Sequence, residues 1–320
     1  MKPGSAYNVE DYIDVEGGDE DDEGTLNFMT VAMYKASPIT YLVAQFSKYQ
    51  ELLTIDEVRQ EGESDEAYNL RQLKLMSDSQ FNALYVAFSR ADLPFDVDFQ
   101  GVYVLNVLDN AAAKGILELG DIVTEIDGEP VLRQAQVVEY IATKAKGDMI
   151  TLTVNRDEEI IEKQVTLKEI PGADGRIGLG ITFGESKTIT TDPEVEAHTE
   201  GIGGPSAGLM FTLQILNQLL PEDLTKGYNI AGTGEMHEDG TVGRIGGVEK
   251  KVVAAHRDGM DIFFAPDDEL SEELLAKYPD FVSNYDAAVK TAKEIGTTMK
   301  IVPVKTIDDA LAYLEQLQEK

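Results

Sequence analysis

Two short segments of this 320-residue chain hold residue types that could together perform acyl transfer. The first is Gly203-Gly204-Pro205-Ser206-Ala207-Gly208, followed by the apolar run Leu209-Met210-Phe211-Thr212-Leu213-Gln214-Ile215-Leu216. Glycines let a backbone approach a ligand closely, and proline suits the first turn of a helix. Ser206 is therefore expected at a helix N-terminus, where unpaired N–H groups and the helix dipole favour negative charge. A serine nucleophile benefits from such a place, because its acyl-transfer intermediate carries an oxyanion. The same pattern also fits an ordinary serine N-cap.

A serine nucleophile needs a base. The chain has three histidines, His198, His237 and His256, and no serine in a G-x-S-x-G elbow. Lysine can replace histidine if desolvation lowers its pKa. The candidate is Lys251, 45 residues after Ser206, in Gly246-Gly247-Val248-Glu249-Lys250-Lys251-Val252-Val253-Ala254-Ala255. On a helix Lys251 shares a face with Gly247, Val248, Ala254 and Ala255. Lys250 points about 100° away and is expected to be exposed. A lone lysine can equally snorkel to the surface. A third candidate set is His237 with Glu235, Glu238 and Asp239, as in a metal-dependent hydrolase, although no H-E-x-x-H stands in the sequence.

These residues need a scaffold, and the chain divides by composition into three parts. Residues 1–92 open with an acidic stretch, Asp14 to Glu23, followed by a strand-like run Leu26–Met33 and helical stretches over residues 38–59 and 66–91. This part is expected to be an α+β scaffold or gate. Residues 93–170 begin with the β-branched strand Gly101-Val102-Tyr103-Val104-Leu105-Asn106-Val107. A short helix over 111–115, a strand and hairpin turn over 119–128, a helix over 131–144 and strands over 149–155 and 160–167 follow. Pro171-Gly172-Ala173-Asp174-Gly175 is a turn-rich linker. Residues 171–320 then alternate strands and helices, with helices expected over 206–219, 248–258, 269–275, 286–294 and 307–317.

The order of elements over 93–170, and above all AAAKGILELGDIVTEIDGEPV, resembles a PDZ domain of the bacterial protease type. Such domains take an extended peptide along a sheet edge. The resemblance implies a groove lined by Gly101, Val102, Tyr103 and Val104, or alternatively a PDZ packed as a lid with its groove unused.

EGIGGPSAG together with GTGEMHEDGTVGRIGGVEKKVVAAHRDGM is similar to the proteolytic domain of Lon peptidases, over about residues 175–270. That resemblance implies Ser206 as nucleophile, Lys251 as its base, Thr233 orienting the lysine, and Gly203 and Gly204 contributing backbone to an oxyanion site. It implies no cofactor and no metal. Lon peptidases carry an ATPase module, whereas this chain has no Walker A motif. Gly180-Ile181-Thr182-Phe183-Gly184-Glu185-Ser186-Lys187-Thr188 comes near, with its lysine too late.

The expected fold is a multidomain α+β chain, a β-barrel-like PDZ domain joined to an α/β Lon-type domain. The expected function is ATP-independent serine endopeptidase, and the alternative is a PDZ-based binding protein with an idle peptidase. The combination resembles the membrane-anchored PDZ–Lon peptidases of Gram-positive bacteria. It implies an outward-facing protein held by an N-terminal helix absent from these residues, with a cytoplasmic location as the alternative and a homo-oligomer left open. The formal charge of −32, from 27 Lys+Arg against 59 Asp+Glu, repels phosphate backbones and argues against nucleic acid as a partner. The charge does not identify a substrate; the resemblance implies peptides or proteins. Cysteine is absent, which removes disulfides and thiolate chemistry.

Overall fold

The computed structural model describes residues 1–19, 23–60, 62–270 and 272–320. The chain forms two compact units, one of Met1–Thr54, Leu75–Phe95 and Thr191–Lys320, the other of Ile55–Lys74 and Asp96–Thr190. The α+β region expected over residues 1–92 is therefore divided, with 1–54 and 75–92 in the first unit and 55–74 in the second. Its strands Lys2–Asn8 and Thr25–Ala32 complete a five-stranded sheet with Asn229–Gly232, Ile262–Pro266 and Lys300–Val304. Thr25–Ala32 pairs antiparallel with Lys2–Asn8 and parallel with Asn229–Gly232. Asn229–Gly232, Ile262–Pro266 and Lys300–Val304 then run parallel in turn. A parallel strand must be covered on both faces. Leu26, Phe28 and Met29 are accordingly all buried.

Neighbouring residues along these strands enter opposite cores, as a period of two requires. Phe28, Ile230 and Phe264 join one apolar cluster with Phe88, Leu209, Phe211 and Leu213. Met29, Ala231, Phe263 and Ala265 join the other with Val248, Val252, Ala288 and Ala292. Helix Gly208–Leu219 lies in the first cluster, buried from Gly208 to Gln218, which explains why its sequence is apolar almost all round. Helix Val248–Arg257 lies on the opposite face of the sheet and packs on helix Asn284–Ile295.

In the second unit the strand order is Ile181–Thr191, Phe95–Val107, Ile122–Ile126, Met149–Arg156, Glu159–Thr166, with Glu129–Pro130 pairing to Ile122–Ile126. Alternate residues Val102, Val104, Val123, Ile150, Leu152, Val154 and Val165 fill its core, closed by Val137 and Ile141 of helix Gln134–Ala142. The boundary expected at 170/171 shifts. Residues 168–169 and 177–178 pair around the glycine-rich turn, and Ile181–Thr191 joins this sheet.

Other expectations change locally. The helix expected over 111–115 is a turn that buries Ala111, Ala112 and Ala113. The stretch over 38–59 breaks into Pro38–Gln45, with a Ser37–Thr40 capping box, and Ile55–Val58. Helix Asp65–Ala91 is continuous, with residues in both units. No helix among the described residues is long and apolar enough to cross a membrane.

Candidate active site

Ser206 sits in the turn just before helix Gly208–Leu219, whose N-cap is Ala207. It is therefore outside the helix rather than its first residue. Lys251 lies in the first turn of Val248–Arg257, entered through Gly247 in the left-handed conformation, φ 72°. The buried stripe Val248, Lys251, Val252, Ala254 and Ala255 follows helical spacing, so packing that stripe carries the lysine inward. Lys251 is 2% exposed and Thr233 is fully buried, whereas Ser206 is half-buried and can be reached from outside.

Lys251 Nζ lies 2.7 Å from Ser206 Oγ and 2.8 Å from Thr233 Oγ1. The Thr233 hydroxyl donates to the Ser206 carbonyl at 3.0 Å, so its oxygen is left to accept from the lysine. A neutral lysine that gives one N–H to Thr233 can aim its lone pair at the Ser206 hydroxyl. The Gly234 N–H also donates to the Ser206 carbonyl, at 3.0 Å. That approach needs glycine, since a Cβ at position 234 would lie 2.4 Å from Val242 Cγ1. Burial pushes the Lys251 amine down to about 7, with desolvation as the cause.

Among the described residues the backbone N–H groups of Ser206 and Ala207 have no acceptor. Their own carbonyl partners, Pro205 and Ser206, are both held from behind, and a trans peptide points its N–H opposite its C=O. Gly203 is exposed and Gly204 is buried at φ 92°, so both shape the chain entering the turn. The turn presents free donors at residues 206 and 207, besides the two glycines that the sequence pointed to.

Lys250 faces away from this cluster but is not exposed as expected. It is 11% exposed and forms an ion pair with Glu51, a residue of the N-terminal segment that sequence periodicity could not foresee. All three histidines are exposed and none bonds to Ser206. Around His237, the Asp239 carboxylate accepts from Thr241 N at 2.9 Å and Thr241 Oγ1 at 2.7 Å. Among the described residues no three His, Asp or Glu side chains converge as a metal-binding set.

Sequence reasoning missed two side chains of helix Asp65–Ala91. The Ser79 hydroxyl donates to the Pro205 carbonyl at 3.0 Å, and Asn82 Nδ2 donates to the Met236 carbonyl at 2.8 Å. The signal available was a serine standing on the buried face Met76, Ala83, Val86, Ala87.

The peptide-binding residues need correction. Gly101, Val102, Tyr103 and Val104 lie on an interior strand, with Ile181–Thr191 on one side and Ile122–Ile126 on the other. Val102 and Val104 are core residues, and a Cβ at Gly101 would lie 2.5 Å from the Val123 carbonyl. The glycine thus admits a neighbouring strand, not a ligand. The strands at the two ends of this sheet are Ile181–Thr191 and Glu159–Thr166. On the first of them, the Phe183 carbonyl faces helix Gln134–Ala142 and accepts from Gln134 Nε2 at 3.4 Å. The segment resembling a phosphate loop is this strand, with no helix after it to cradle phosphate.

Comparison with known proteins places two families along the chain. Residues 72–167 match the PDZ domain family, and residues 186–314 match the Lon protease (S16) C-terminal proteolytic domain. Among curated relatives, Lon protease of Acinetobacter baumannii is 28% identical over 174 residues, covering 54% of this chain and 19% of that protein. Lon protease of Ureaplasma parvum is 33% identical over 141 residues, covering 43% of this chain and 17% of that protein. The chain thus spans about a fifth of the length of these relatives. Among solved structures, the PDZ domain of an SdrC-like protein from Listeria monocytogenes is 32% identical, covering 28% of this chain and 92% of that one, with a TM-score of 0.26.

Proposed function

We propose that this chain, which carries a PDZ domain and a Lon-type C-terminal proteolytic domain, is a serine endopeptidase that acts through a Ser206–Lys251 dyad without nucleotide or metal. One observation carries the reading: a buried lysine with no carboxylate partner among the described residues, 2.7 Å from the hydroxyl of a half-buried serine. A surface lysine would be protonated at neutral pH and useless as a base. Desolvation instead leaves a large fraction neutral.

The chemistry follows from the contacts. Neutral Lys251 takes the Ser206 proton as Oγ attacks the peptide carbonyl carbon, and Thr233 keeps the amine pointed at Oγ. The carbonyl oxygen becomes an oxyanion, stabilised by the N–H groups of Ser206 and Ala207 with the Gly203–Gly204 segment shaping the approach. Protonated Lys251 then gives its proton to the leaving amine. Water, deprotonated by Lys251, releases the acyl group from Ser206. No step calls on phosphate hydrolysis, so substrates are expected to be peptides and segments already unfolded.

The PDZ domain supplies recruitment. Strand addition requires unpaired backbone groups, and strand Ile181–Thr191, at the end of its sheet, meets that need better than the interior Gly101–Val104; a peptide there would displace Gln134 Nε2 from the Phe183 carbonyl. The resemblance to membrane-anchored PDZ–Lon peptidases favours an extracytoplasmic location, which fractionation of cells producing the native protein tests. Labelling by a fluorophosphonate tests the catalytic reading. Wild type should label, and Ser206→Ala should neither label nor cut casein. A Ser206→Ala variant that still cuts would refute the dyad, and a wild type that does neither would favour the binding-protein alternative.

A further inference from the structure

We infer that Ser79 is a positioning residue of the catalytic turn: its hydroxyl holds the Pro205–Ser206 peptide so that the Ser206 N–H faces the developing oxyanion. The inference rests on the reading of Ser206 as nucleophile.

Ser79 stands on the buried face of helix Asp65–Ala91 and is 2% exposed. A serine inside a helix commonly bonds back to the carbonyl four residues earlier. Ser79 reaches out of its helix instead and donates to the Pro205 carbonyl at 3.0 Å, across 126 residues of sequence. Close approach is built into the partner, since a Cβ at Gly208 would lie 2.8 Å from Ser79 Oγ. Pro205 O also accepts from Gly208 N at 3.3 Å, a longer bond made within the turn itself.

The consequence lies on the other side of the peptide. Pro205 C=O and Ser206 N–H belong to one planar unit and point in opposite directions. Fixing the oxygen against the helix therefore fixes the hydrogen away from it. A donor on the carbonyl also polarises the unit and strengthens its N–H as a donor. The next unit is treated the same way: Thr233 and Gly234 hold the Ser206 carbonyl from behind the Ala207 N–H. Thr233 is tied to the lysine as well, whereas Ser79 touches neither member of the dyad. Its effect should thus appear in stabilisation of the tetrahedral state and not in the titration of the base.

The test uses the full chain, fluorescein-labelled casein as substrate and a peptide boronate as tetrahedral mimic. Rates are normalised to the end-point of fluorophosphonate labelling, which counts intact sites, so a loss of packing lowers the count rather than the rate per site. For Ser79→Ala, kcat per site should fall about tenfold, the size of one neutral hydrogen bond. KM should stay within about twofold, boronate affinity should fall in parallel with kcat, and the acid limb of the pH profile should stay in place. Ser79→Thr keeps the hydroxyl and should recover most of the rate. Should the threonine variant not fold, Ser79→Cys offers nearly the same shape with a weaker donor and should lie between serine and alanine. Wild-type kcat per site in Ser79→Ala, or a folded threonine variant as slow as alanine, overturns the inference. If Ser206→Ala itself still cuts casein, the nucleophile assignment falls instead, so the two failures are distinguishable.

Discussion

The Lys251 amine should control both rate and stability, and in opposite senses from an ordinary lysine. It is buried, with an ammonium pushed down to about 7 by desolvation. If neutral Lys251 is the base, kcat/KM follows its neutral fraction: about a tenth at pH 6, about half at pH 7 and about nine-tenths at pH 8. A lysine at the free value of about 10.4 would instead give activity rising about tenfold per pH unit to pH 10. The same shift acts on folding. Between the folded pKa of about 7 and the unfolded value near 10.4, the unfolded chain binds more protons than the native one, so stability rises with pH across that window. The group costs the native state on the order of 4–5 kcal/mol at pH 6 and about 2 kcal/mol at pH 9. Lys251→Met keeps a linear side chain and removes the amine. It should be inactive and more stable than wild type, by a margin about 2–3 kcal/mol larger at pH 6 than at pH 9. Urea unfolding of both proteins at the two pH values measures that difference. A margin independent of pH, together with a rate limb above pH 9, would refute the desolvated-base reasoning.

Ser206→Ala and Lys251→Ala should each abolish cleavage, and the double variant should be no worse than either, because members of one catalytic unit are not additive. Lys250→Ala removes an ion pair with Glu51 outside the cluster and should keep casein cleavage within about twofold. If Lys250→Ala is dead and Lys251→Ala is not, the helix register is wrong. Gly234→Ala places a Cβ 2.4 Å from Val242 Cγ1, so it should lower stability by about 1–3 kcal/mol in denaturant titration and slow cleavage by displacing a donor to Ser206. Replacing residues 96–190 by a short linker is practicable, because Asp192 N lies 3.4 Å from the Pro94 carbonyl within the first unit. That excision should slow casein cleavage much more than cleavage of a short peptide; faster casein cleavage would mean that the PDZ domain gates rather than recruits. EDTA and ATP should leave the rate unchanged.

Much of the Ser206–Lys251–Thr233 cluster was legible in the chain, its members from local pattern and their association from resemblance. Ser206 stood between a glycine-proline segment and an apolar run, and helix phase put Lys251 on one face with Gly247, Val248, Ala254 and Ala255 while turning Lys250 away; a plain N-cap and a snorkelling lysine stayed open until the resemblance to Lon peptidases chose between them. Such patterns depend on neighbours within one or two turns, which any reader of the chain can align. Pairing is another matter. Thr25–Ala32 reads as a strand by composition, but its partner Asn229–Gly232 lies about 200 residues away, and nothing local marks the match. Residues 1–92 thus looked like a separate region, yet their strands Lys2–Asn8 and Thr25–Ala32 are two of the five in the sheet that also holds Asn229–Gly232. Gly101–Val104 shows the same limit. Alternating β-branched residues and a glycine describe an edge strand and an interior strand equally well, and the neighbour that occupies the edge, Ile181–Thr191, arrives from the far side of a turn-rich segment that resembled a linker. Ser79 lies between the two cases. Its place on an apolar helix face marked a buried hydroxyl in need of a partner, but only folding brings Pro205 to it. The pKa of Lys251 is the clearest instance: residue type and helix phase come from the chain, but an amine loses its water only when a sheet and a second helix, gathered from both ends of the sequence, close over it.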